Sequence, residues 1–339
     1  MKNPGDFASL LSGFLSEYLP VQKNASQQTI HSYRDTFKLL LIYMEGERGI
    51  KPGKIQMKTL SAQLILEFLS WLETQRNISA ASRNQRLSAI RSFFRYAQFE
   101  MPEGLVQFQT VLALPAKKAT KPLVPYLSAE EMKVLLSCPD RSTAKGRRDL
   151  CLLCVLYDSG CRVQELIDLR VRDVILRPKG IAILKGKGGK IRRVPLESGT
   201  VNLLEAYLCE QHLTGAEKTD WPIFTGNRGN KLTREGVTYI INKYVPFARE
   251  KAPSMPEKIT PHMFRHSRAM TLLQAGVNLI YIRDFLGHTD VKTTEIYAKA
   301  DTELKRKAIE GVAPVIITES VPFKDWTDDR SLMDWLKSL

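Results

Sequence analysis

The chain has 339 residues, of which 43% are hydrophobic and 25% are charged. This mixture excludes a disordered or fibrous protein, and the length predicts two domains with buried cores. Fifty Lys and Arg residues against 36 Asp and Glu residues give a net charge of +14, which predicts a polyanionic partner such as nucleic acid. No apolar run reaches the roughly 20 residues that span a bilayer, and the N-terminus lacks the pattern of a secretion signal. We therefore expect a cytoplasmic protein, and its five cysteines predict reduced thiols instead of a disulfide framework.

Helical periodicity runs through the first part of the chain. Apolar residues recur three and four positions apart, without the alternation of a strand, and Ser26 is a candidate N-cap. The predicted helices cover about 6–19, 26–45, 60–74 and 79–99. We therefore predict that residues 1–110 form an all-helical domain.

The last of these helices carries a polar face that is rich in hydrogen-bond donors and has no acidic residue. At the angular spacing of a helix, one side collects Asn84, Gln85, Ser88, Arg91, Ser92 and Arg95. Arg, Asn and Gln side chains read base edges in the major groove of DNA, and Ser contacts phosphate. The face therefore predicts a DNA contact, with an ordinary solvated helix face as the alternative.

A stretch rich in proline and lysine separates this domain from the rest of the chain. Residues 113–128 contain three Pro and three Lys and show no helical apolar period. We therefore predict an exposed basic linker at 111–125, in which Lys117 and Lys118 are candidates for DNA contact.

Residues 126–311 combine helical patterns with one strand pair. Ser128 and Glu131 form a capping-box pattern, and alternating residues on both sides of a Lys/Gly tip predict a β-hairpin. The strands are predicted at 181–184 and 191–196, and the helices at about 146–158, 161–170, 198–212, 233–250, 261–275, 278–286 and 290–299. The fold class expected is mainly α with a small antiparallel β-sheet in the C-terminal domain.

Two short motifs in this part could hold an anion. Thr260 and Pro261 open a helix, and His262 and Arg265 share a face at its positive end, where a phosphate is favoured. Arg162 follows a Gly turn with Glu165 three residues later, which suggests a guanidinium held in place by a carboxylate. The ordinary alternatives are a capped helix with solvated side chains and an exposed ion pair.

The hairpin tip and the segment after it offer further chemistry. The tip, 186–190, is not a nucleotide-binding loop, because no Ser or Thr follows Gly-Lys and no helix follows the loop. Lys187, or Lys190 in its place, could instead enter a groove and donate a proton. Cys151 and Cys154 lack a second pair, so core packing is expected there instead of a metal site.

The order and spacing of these motifs closely resemble the tyrosine recombinase family, which includes phage integrases and Xer recombinases. The motifs are Gly160-Cys-Arg162-x-x-Glu165-Leu166, Gly186-Lys187-Gly188, His262-x-x-Arg265-His266, and Leu286-Gly287-His288 with Tyr297 nine residues on. The resemblance covers about 126–300 strongly and 5–100 more weakly, where Ser82 to Ile90 looks like the core-binding domain of the family.

The resemblance implies a role for each matching residue. Arg162 and Arg265 would clamp the scissile phosphate, Lys187 would be the general acid, and Tyr297 would be the nucleophile. The catalytic set implied is Arg162, Lys187, His262, Arg265, His288 and Tyr297, with Glu165 and His266 in support. The candidates for DNA contact are Asn84, Gln85, Ser88, Arg91, Arg95, Lys117, Lys118, Lys190 and Arg192.

The resemblance also implies the reaction and its partners. The expected enzyme is a site-specific DNA recombinase that cuts and rejoins strands through a 3′-phosphotyrosyl intermediate, with no cofactor and no metal. Its two domains would clamp double-stranded DNA at paired core sites, as a homo-tetramer or with a related recombinase, in the bacterial nucleoid. The alternatives are a type IB topoisomerase or telomere resolvase, and a non-catalytic DNA-binding regulator.

The last segment, 312–339, has an acidic amphipathic character with Trp326, Leu332, Trp335 and Leu336 on it. In the family, C-terminal segments pack on a neighbouring protomer. We expect 312–339 to do so, with docking on its own domain as the alternative.

Overall fold

The structure, a computed structural model, describes residues 7–119, 124–226 and 229–300, together with 306, 334 and 336–338, and gives no side-chain placement for 187, 299 and 300. The chain divides into two compact units, Met1–Pro122 and Leu123–Leu339. Within the described residues, no helix has the length and apolar character that crossing a membrane requires.

The first unit is helical, as the periodicity predicted. Ser26, Ser61 and Ser79 are N-caps, each accepting the backbone N–H three residues later, so the prediction for Ser26 is confirmed. The helices are α1 (Phe7–Gly13), continued by a π-helical segment (Phe14–Gln22), α2 (Gln27–Arg48), α3 (Ala62–Gln75), α4 (Ala80–Glu100) and α5 (Leu105–Leu112).

An aromatic cluster holds the core of the first unit. Phe93 of α4 makes edge-to-face contacts with Phe7, Phe14 and Phe37, at ring-centroid distances of 5.7, 5.4 and 5.1 Å. Edge-to-face packing of this kind stabilises a core beyond the area that it buries. The cluster fixes α4, the helix whose polar face is a candidate DNA contact.

The predicted linker is not exposed at its ends. Helix α5 was missed at the sequence level because it is short, and it brings Val111 into the core of the first unit. Leu114 is also buried there, and Leu127 is buried in the second unit. Within the described part of the segment, Val124 and Tyr126 are also partly buried, whereas Lys117 and Lys118 are exposed.

Helices make up most of the second unit. Ser128 and Glu131 form the predicted capping box, and Gly160 adopts the left-handed conformation (φ +55°) after the second helix. The helices are α6 (Ala129–Ser137), α7 (Ala144–Asp158), α8 (Val163–Ile167), α9 (Ser198–Glu210), α10 (Arg234–Lys251), α11 (Pro261–Gln274), α12 (Leu279–Leu286) and α13 (Glu295–Ala300).

A three-stranded antiparallel sheet completes the unit. The predicted hairpin is present as β2 (Ile181–Lys185) and β3 (Ile191–Pro195), and β1 (Val174–Ile175) pairs with β2. Strand β1 was not predicted because two residues show no alternation. Ala182, Leu184 and Val194 are buried. Because residues two positions apart in a strand lie on the same face, Arg192 shares the inward face of β3 with Val194.

Candidate functional site

Arg162 lies just before α8 and is held by Glu165. The backbone N–H of Arg162 donates to Oε2 of Glu165 at 2.8 Å, and Nη1 donates to Oε1 at 2.9 Å. Burial alone would raise the pKa of Glu165, but hydrogen bonds from Arg192 and Arg162 hold that pKa below its usual value. The preorganised guanidinium predicted for Arg162 is therefore present.

Arg265, on α11, is buried, with 3% of the residue exposed. Its Nη1 donates to the carbonyl of Gly160 at 2.7 Å, and its Nη2 donates to the carbonyl of Leu286 at 2.5 Å. Burial, with the positive charges of Arg162 and Arg192 as smaller causes, lowers the pKa of Arg265 to about 10, so the group stays cationic at neutral pH.

These contacts bring three distant segments together. Gly160 is two residues before Arg162, Leu286 is two residues before His288, and Arg265 bridges both segments across sequence separations of 105 and 21 residues. Nη2 of Arg162 also approaches the carbonyl of Gly287 at 3.4 Å. The separate sequence motifs therefore form one cationic site.

His288 follows the left-handed Gly287 (φ +65°) that ends α12. Its Nδ1 is 3.0 Å from the hydroxyl of Thr294, a fully buried residue that was not identified from the sequence. Burial, followed by the charges of Arg265 and Arg162, lowers the pKa of His288 to about 4. The imidazole is therefore neutral at pH 7.

Tyr297, on α13, is 1% exposed, and its phenol oxygen is 2.8 Å from Nδ1 of His266. Burial raises the pKa of Tyr297, with Arg265 opposing the shift, so the phenol is protonated. Burial, then His262 and Arg265, lowers the pKa of His266 to about 4. A neutral imidazole with its proton on Nε2 accepts the phenol hydrogen at Nδ1.

His262 lies one helical turn before His266, with the two ring centroids 6.1 Å apart. Desolvation, followed by the charges of Arg265 and Arg162, lowers the pKa of His262. Thr260 caps the helix, as predicted, by accepting the backbone N–H of Met263. His262 therefore lies in the first turn of α11, where the charges of Arg265 and Arg162 affect it.

The hairpin tip is a tight turn, Lys187–Gly189, in which Gly188 and Gly189 both have φ +75°. The side chain of Lys187 lies outside the described part of the structure. Lys190 is exposed. The tip borders an open cavity of about 420 Å³, lined by Arg162, Gly186, Lys190, Ile191, Arg192, Asp284, Gly287, His288, Thr289 and Thr293. Two arginines and one lysine among the lining residues outnumber the single acidic residue, Asp284, so the cavity favours an anion.

Arg192 was predicted to contact DNA, but in the structure its guanidinium group has protein partners. Its Nη1 and Nη2 donate to the two carboxylate oxygens of Glu165 at 2.9 and 2.7 Å, and its Nε donates to the carbonyl of Phe285 at 3.0 Å. The guanidinium is therefore engaged with the protein. The sequence feature that could have indicated this engagement is the position of Arg192 on the buried face of a predicted strand.

The polar face of α4 is also partly engaged. The amide of Asn84 accepts from the backbone N–H of Lys117 at 3.0 Å and donates to its carbonyl at 2.8 Å, and Arg91 donates to the carbonyl of Leu114. Lys117 pairs with Glu73 at 2.8 Å. The polar groups of Asn84 and Arg91 are therefore engaged with the chain itself, and Lys117, although exposed, pairs with Glu73.

Other residues of that face are more available. Gln85, Ser88 and Arg95 are all exposed, and Gln85 also donates to the hydroxyl of Ser32 at 3.1 Å. The first unit therefore retains an exposed serine and an exposed arginine on α4, with Lys118 exposed nearby in sequence.

Two further predictions concern metals and the tail. Among the described residues, no group of three His, Cys, Asp or Glu side chains could hold a metal ion. The cysteines are free, and burial raises the pKa of the Cys151 thiol strongly and that of Cys154 to about 11, as expected for core packing.

The predicted docking segment 312–339 lies outside the described residues, apart from 334 and 336–338.

Comparison with known families gives matches along most of the chain. Residues 125–303 match the phage integrase family, and residues 13–100 match the phage integrase N-terminal SAM-like domain. The putative integrase/recombinase y4rC of Sinorhizobium fredii is 39% identical over 341 residues, covering 100% of both chains. Tyrosine recombinase XerC of Oceanobacillus iheyensis is 33% identical over 295 residues, covering 86% of this chain and 92% of the relative.

Solved structures support the fold. The XerH site-specific recombinase bound to palindromic difH substrate, in a post-cleavage complex, superposes with a TM-score of 0.68 at 24% identity, covering 88% of this chain and 84% of that one. The Tn1549 transposon integrase in complex with transposon right-end DNA gives 0.67 at 16% identity, covering 91% and 100%. The predicted fold class, mainly helical with a small antiparallel sheet, is confirmed.

Proposed function

Because the chain belongs to the phage integrase family of tyrosine recombinases, which cut and rejoin DNA strands in site-specific recombination, we propose that Tyr297 is its nucleophile. The phenol oxygen attacks a DNA phosphodiester, the bond to the 5′ oxygen breaks, and a 3′-phosphotyrosyl ester and a free 5′-hydroxyl remain. A 5′-hydroxyl of another duplex then attacks that ester, releasing Tyr297 and joining the strands. The ester keeps the bond energy, so no nucleoside triphosphate is consumed.

Arg162 and Arg265 stabilise the charge that develops on the non-bridging phosphate oxygens. The support is that both guanidinium groups are held by short hydrogen bonds beside a cationic cavity. Donors that are fixed before the reaction stabilise a transition state without a cost of reorganisation. Arg162 is partly exposed, with 33% of its side chain accessible, and contacts the phosphate directly. Arg265 contributes its buried charge next to it.

The proton transfers belong to the residues around the phosphate. His262 and His288 are hydrogen-bond donors to phosphate oxygens, and Lys187 on the hairpin protonates the leaving 5′ oxygen. His266 accepts the phenol proton of Tyr297, which is supported by the 2.8 Å separation of these two atoms. Since Tyr297 is buried and does not line the cavity, α13 has to move before the phenol reaches a phosphate.

DNA binding uses both units. We assign residues 1–110 to a core DNA-binding domain and 126–311 to the catalytic domain, joined at 111–125, so that together they clamp the duplex. The candidates for DNA contact that are exposed are Gln85, Ser88, Arg95, Lys117, Lys118 and Lys190. Four copies act on two DNA sites, and a tetramer mixed with a related recombinase is the alternative. The segment 312–339 contacts a neighbouring protomer.

The same chemistry serves integration, excision, transposition and the resolution of chromosome dimers in the bacterial nucleoid. The relatives are integrases and recombinases, so a topoisomerase, a telomere resolvase or a non-catalytic regulator is not favoured.

The experiment that tests the proposal uses a random-sequence pool of nicked DNA duplexes. The nick traps the covalent intermediate because the short 3′ fragment with the free 5′-hydroxyl diffuses away. We expect a protein–DNA adduct that survives denaturation and is absent with Tyr297→Phe. Tyr281→Phe, which changes an exposed tyrosine on α12, is the matched control and should keep the adduct. An adduct that persists in Tyr297→Phe would refute the assignment.

A further inference from the structure

We propose that Arg192 is a positioning residue for DNA cleavage, which acts by holding Glu165 and thereby directing Arg162, and that it does not bind DNA. This inference rests on the proposed function of Arg162. The proposal gives Arg192 a new role, since its charge and its place on a β-hairpin had suggested a contact with DNA.

The hydrogen bonds of Arg192 leave it little capacity for a ligand. Nη1 and Nη2 form a fork on the two oxygens of Glu165, and Nε donates to the carbonyl of Phe285. Only 11% of its side chain is accessible, against 33% for Arg162. Arg162 uses Nη1 on Glu165 and makes one long contact through Nη2, so its remaining N–H groups stay available to a phosphate.

Two glycines show how closely the surroundings fit this pair. A Cβ at Gly287 would lie 3.0 Å from Cδ and 3.1 Å from Nη1 of Arg192, and a Cβ at Gly186 would lie 3.3 Å from Oε1 of Glu165. Gly287 precedes His288, and Gly186 precedes Lys187. Arg192 and Glu165 therefore pack against the backbone of both segments that carry candidate catalytic residues.

The shared carboxylate explains how Arg192 would affect the reaction. Glu165 divides its two oxygens between two guanidinium groups, and each oxygen accepts from Arg192. Without Arg192, each oxygen loses one donor, so the guanidinium of Arg162, which already donates to Oε1, can form a second hydrogen bond to Oε2 beside the backbone N–H of Arg162. The result would be a bidentate pair, which is the geometry that a carboxylate prefers with arginine. Arg162 would then turn away from the cavity and lose its contact with the phosphate.

The test compares neighbouring arginines on β3. Arg192→Gln removes the fork, and Arg193→Gln removes the same charge from the next residue, which is exposed on the opposite face of the strand. Each variant is assayed on a nicked duplex selected by the wild-type protein from the random pool. The readouts are the single-turnover rate of adduct formation at saturating protein, and the DNA affinity across a salt series.

We expect Arg192→Gln to slow adduct formation about 100-fold, the size of effect that a misplacement of about 1 Å produces. Its DNA affinity and salt dependence should stay within twofold of wild type, and Arg193→Gln should keep the wild-type rate. Arg192→Lys, which keeps the charge but not the fork, should be almost as slow as Arg192→Gln. The double variant Arg192→Gln/Glu165→Gln should be less impaired than the product of the two single effects, because a neutral amide in place of the carboxylate no longer draws Arg162 away.

Two results would overturn the proposal. One is a weaker DNA affinity with a smaller salt dependence in Arg192→Gln, at an unchanged cleavage rate, which would make Arg192 a phosphate contact. The other is a normal rate in Arg192→Lys, which would show that only its charge matters. If Arg192→Gln fails to fold, the Arg192→Lys rate decides alone. Absence of any adduct with wild type would instead count against the proposed function.

Discussion

Arginine and amide side chains predicted a DNA contact on the polar face of α4, and arginine and histidine side chains predicted an anion site in the second unit. In the structure, these two sets of side chains have different kinds of partners. On α4, Asn84 and Arg91 bind the backbone of the chain segment that follows the domain. In the second unit, Arg162 and His288 line an open cationic cavity. Periodicity shows which residues share a helix face, but it does not show whether the chain covers that face itself.

The two regions also differ in how their carboxylates are used. Glu73 pairs with Lys117 at 2.8 Å and with the buried Arg83 at 3.4 Å, and it ties the linker to α3 and α4. Glu165 pairs with Arg162 and Arg192 and leaves one guanidinium facing the cavity. The first arrangement stabilises a domain, whereas the second prepares a cation for a ligand.

We expect the largest difference in the rate of adduct formation between substitutions of Arg265 and Arg91. Both arginines donate to backbone carbonyls, but only Arg265 lies at the candidate active site. Arg265→Gln should slow adduct formation about 10²–10³-fold, the cost of losing one preorganised donor. It should also destabilise the second unit by about 1–3 kcal/mol, because two buried carbonyls lose a partner. Arg91→Gln should leave the single-turnover rate unchanged. Equal rates for the two variants would remove Arg265 from the reaction.

The next comparison is between the two carboxylates. Glu165→Gln leaves the guanidinium groups of Arg162 and Arg192 without a counter-charge and should destabilise the protein by about 3–5 kcal/mol, as expected when a buried ion pair is broken. Glu73 has a more accessible side chain, 21% against 4%, so Glu73→Gln should cost about 1 kcal/mol. Urea denaturation followed by circular dichroism measures both values. A larger loss for Glu73→Gln would contradict this ranking.

Within the first unit, Asn84 and Arg95 should separate stability from DNA binding. Asn84→Ala removes two hydrogen bonds to the backbone of Lys117 and should cost about 1–2 kcal/mol of stability, with no change in the salt dependence of DNA affinity. Arg95→Gln should leave stability unchanged and reduce the slope of log K against log salt by about 1. Fluorescence anisotropy across a salt series measures the slope. The opposite pattern would restore Asn84 as a DNA contact.

The smallest predicted effect is a pH dependence confined to the second unit. His266 and His288 have pKa values of about 4 in the folded protein, below the ordinary value of 6.5. Between pH 6.5 and 4 the unfolded chain binds protons that the folded protein does not, so stability is full above pH 6.5 and falls as the pH drops. From pH 7 to 5, the lowered pKa of His266 should account for about 1–2 kcal/mol of the loss, the lower value allowing for solvent screening of the partly exposed imidazole. His266→Asn should therefore show a shallower loss in thermal unfolding, and an identical pH profile would contradict the assignment.

Much of the fold and of the site could be predicted because the signals were local or repeated. Caps at Ser26, Ser128 and Thr260 follow from residue type, and the hairpin follows from alternation. The short elements α5 and β1 carry too few residues to show a period. Only the resemblance to the tyrosine recombinase family indicated that the motifs converge on one site. Arg162 precedes α8 and Arg265 lies on α11, so no helical spacing could have shown that they are close together.

Contacts between distant segments were the least predictable. His266 and Tyr297 are 31 residues apart, and their hydrogen bond depends on how α13 packs against α11. The engagement of Asn84 depends on the path of the chain more than 30 residues later. The pairing of Arg192 with Glu165 was also missed, although an arginine on the inward face of a strand requires a buried partner.

We propose above all that Tyr297 attacks a phosphate that Arg162 contacts and that the buried charge of Arg265 stabilises. The most direct test is mass spectrometry of the peptide that carries DNA after the adduct is trapped and digested with a protease and a nuclease. We expect a nucleotide linked through its 3′ phosphate to Tyr297. A nucleotide on another residue, or one linked through a 5′ phosphate, would contradict it.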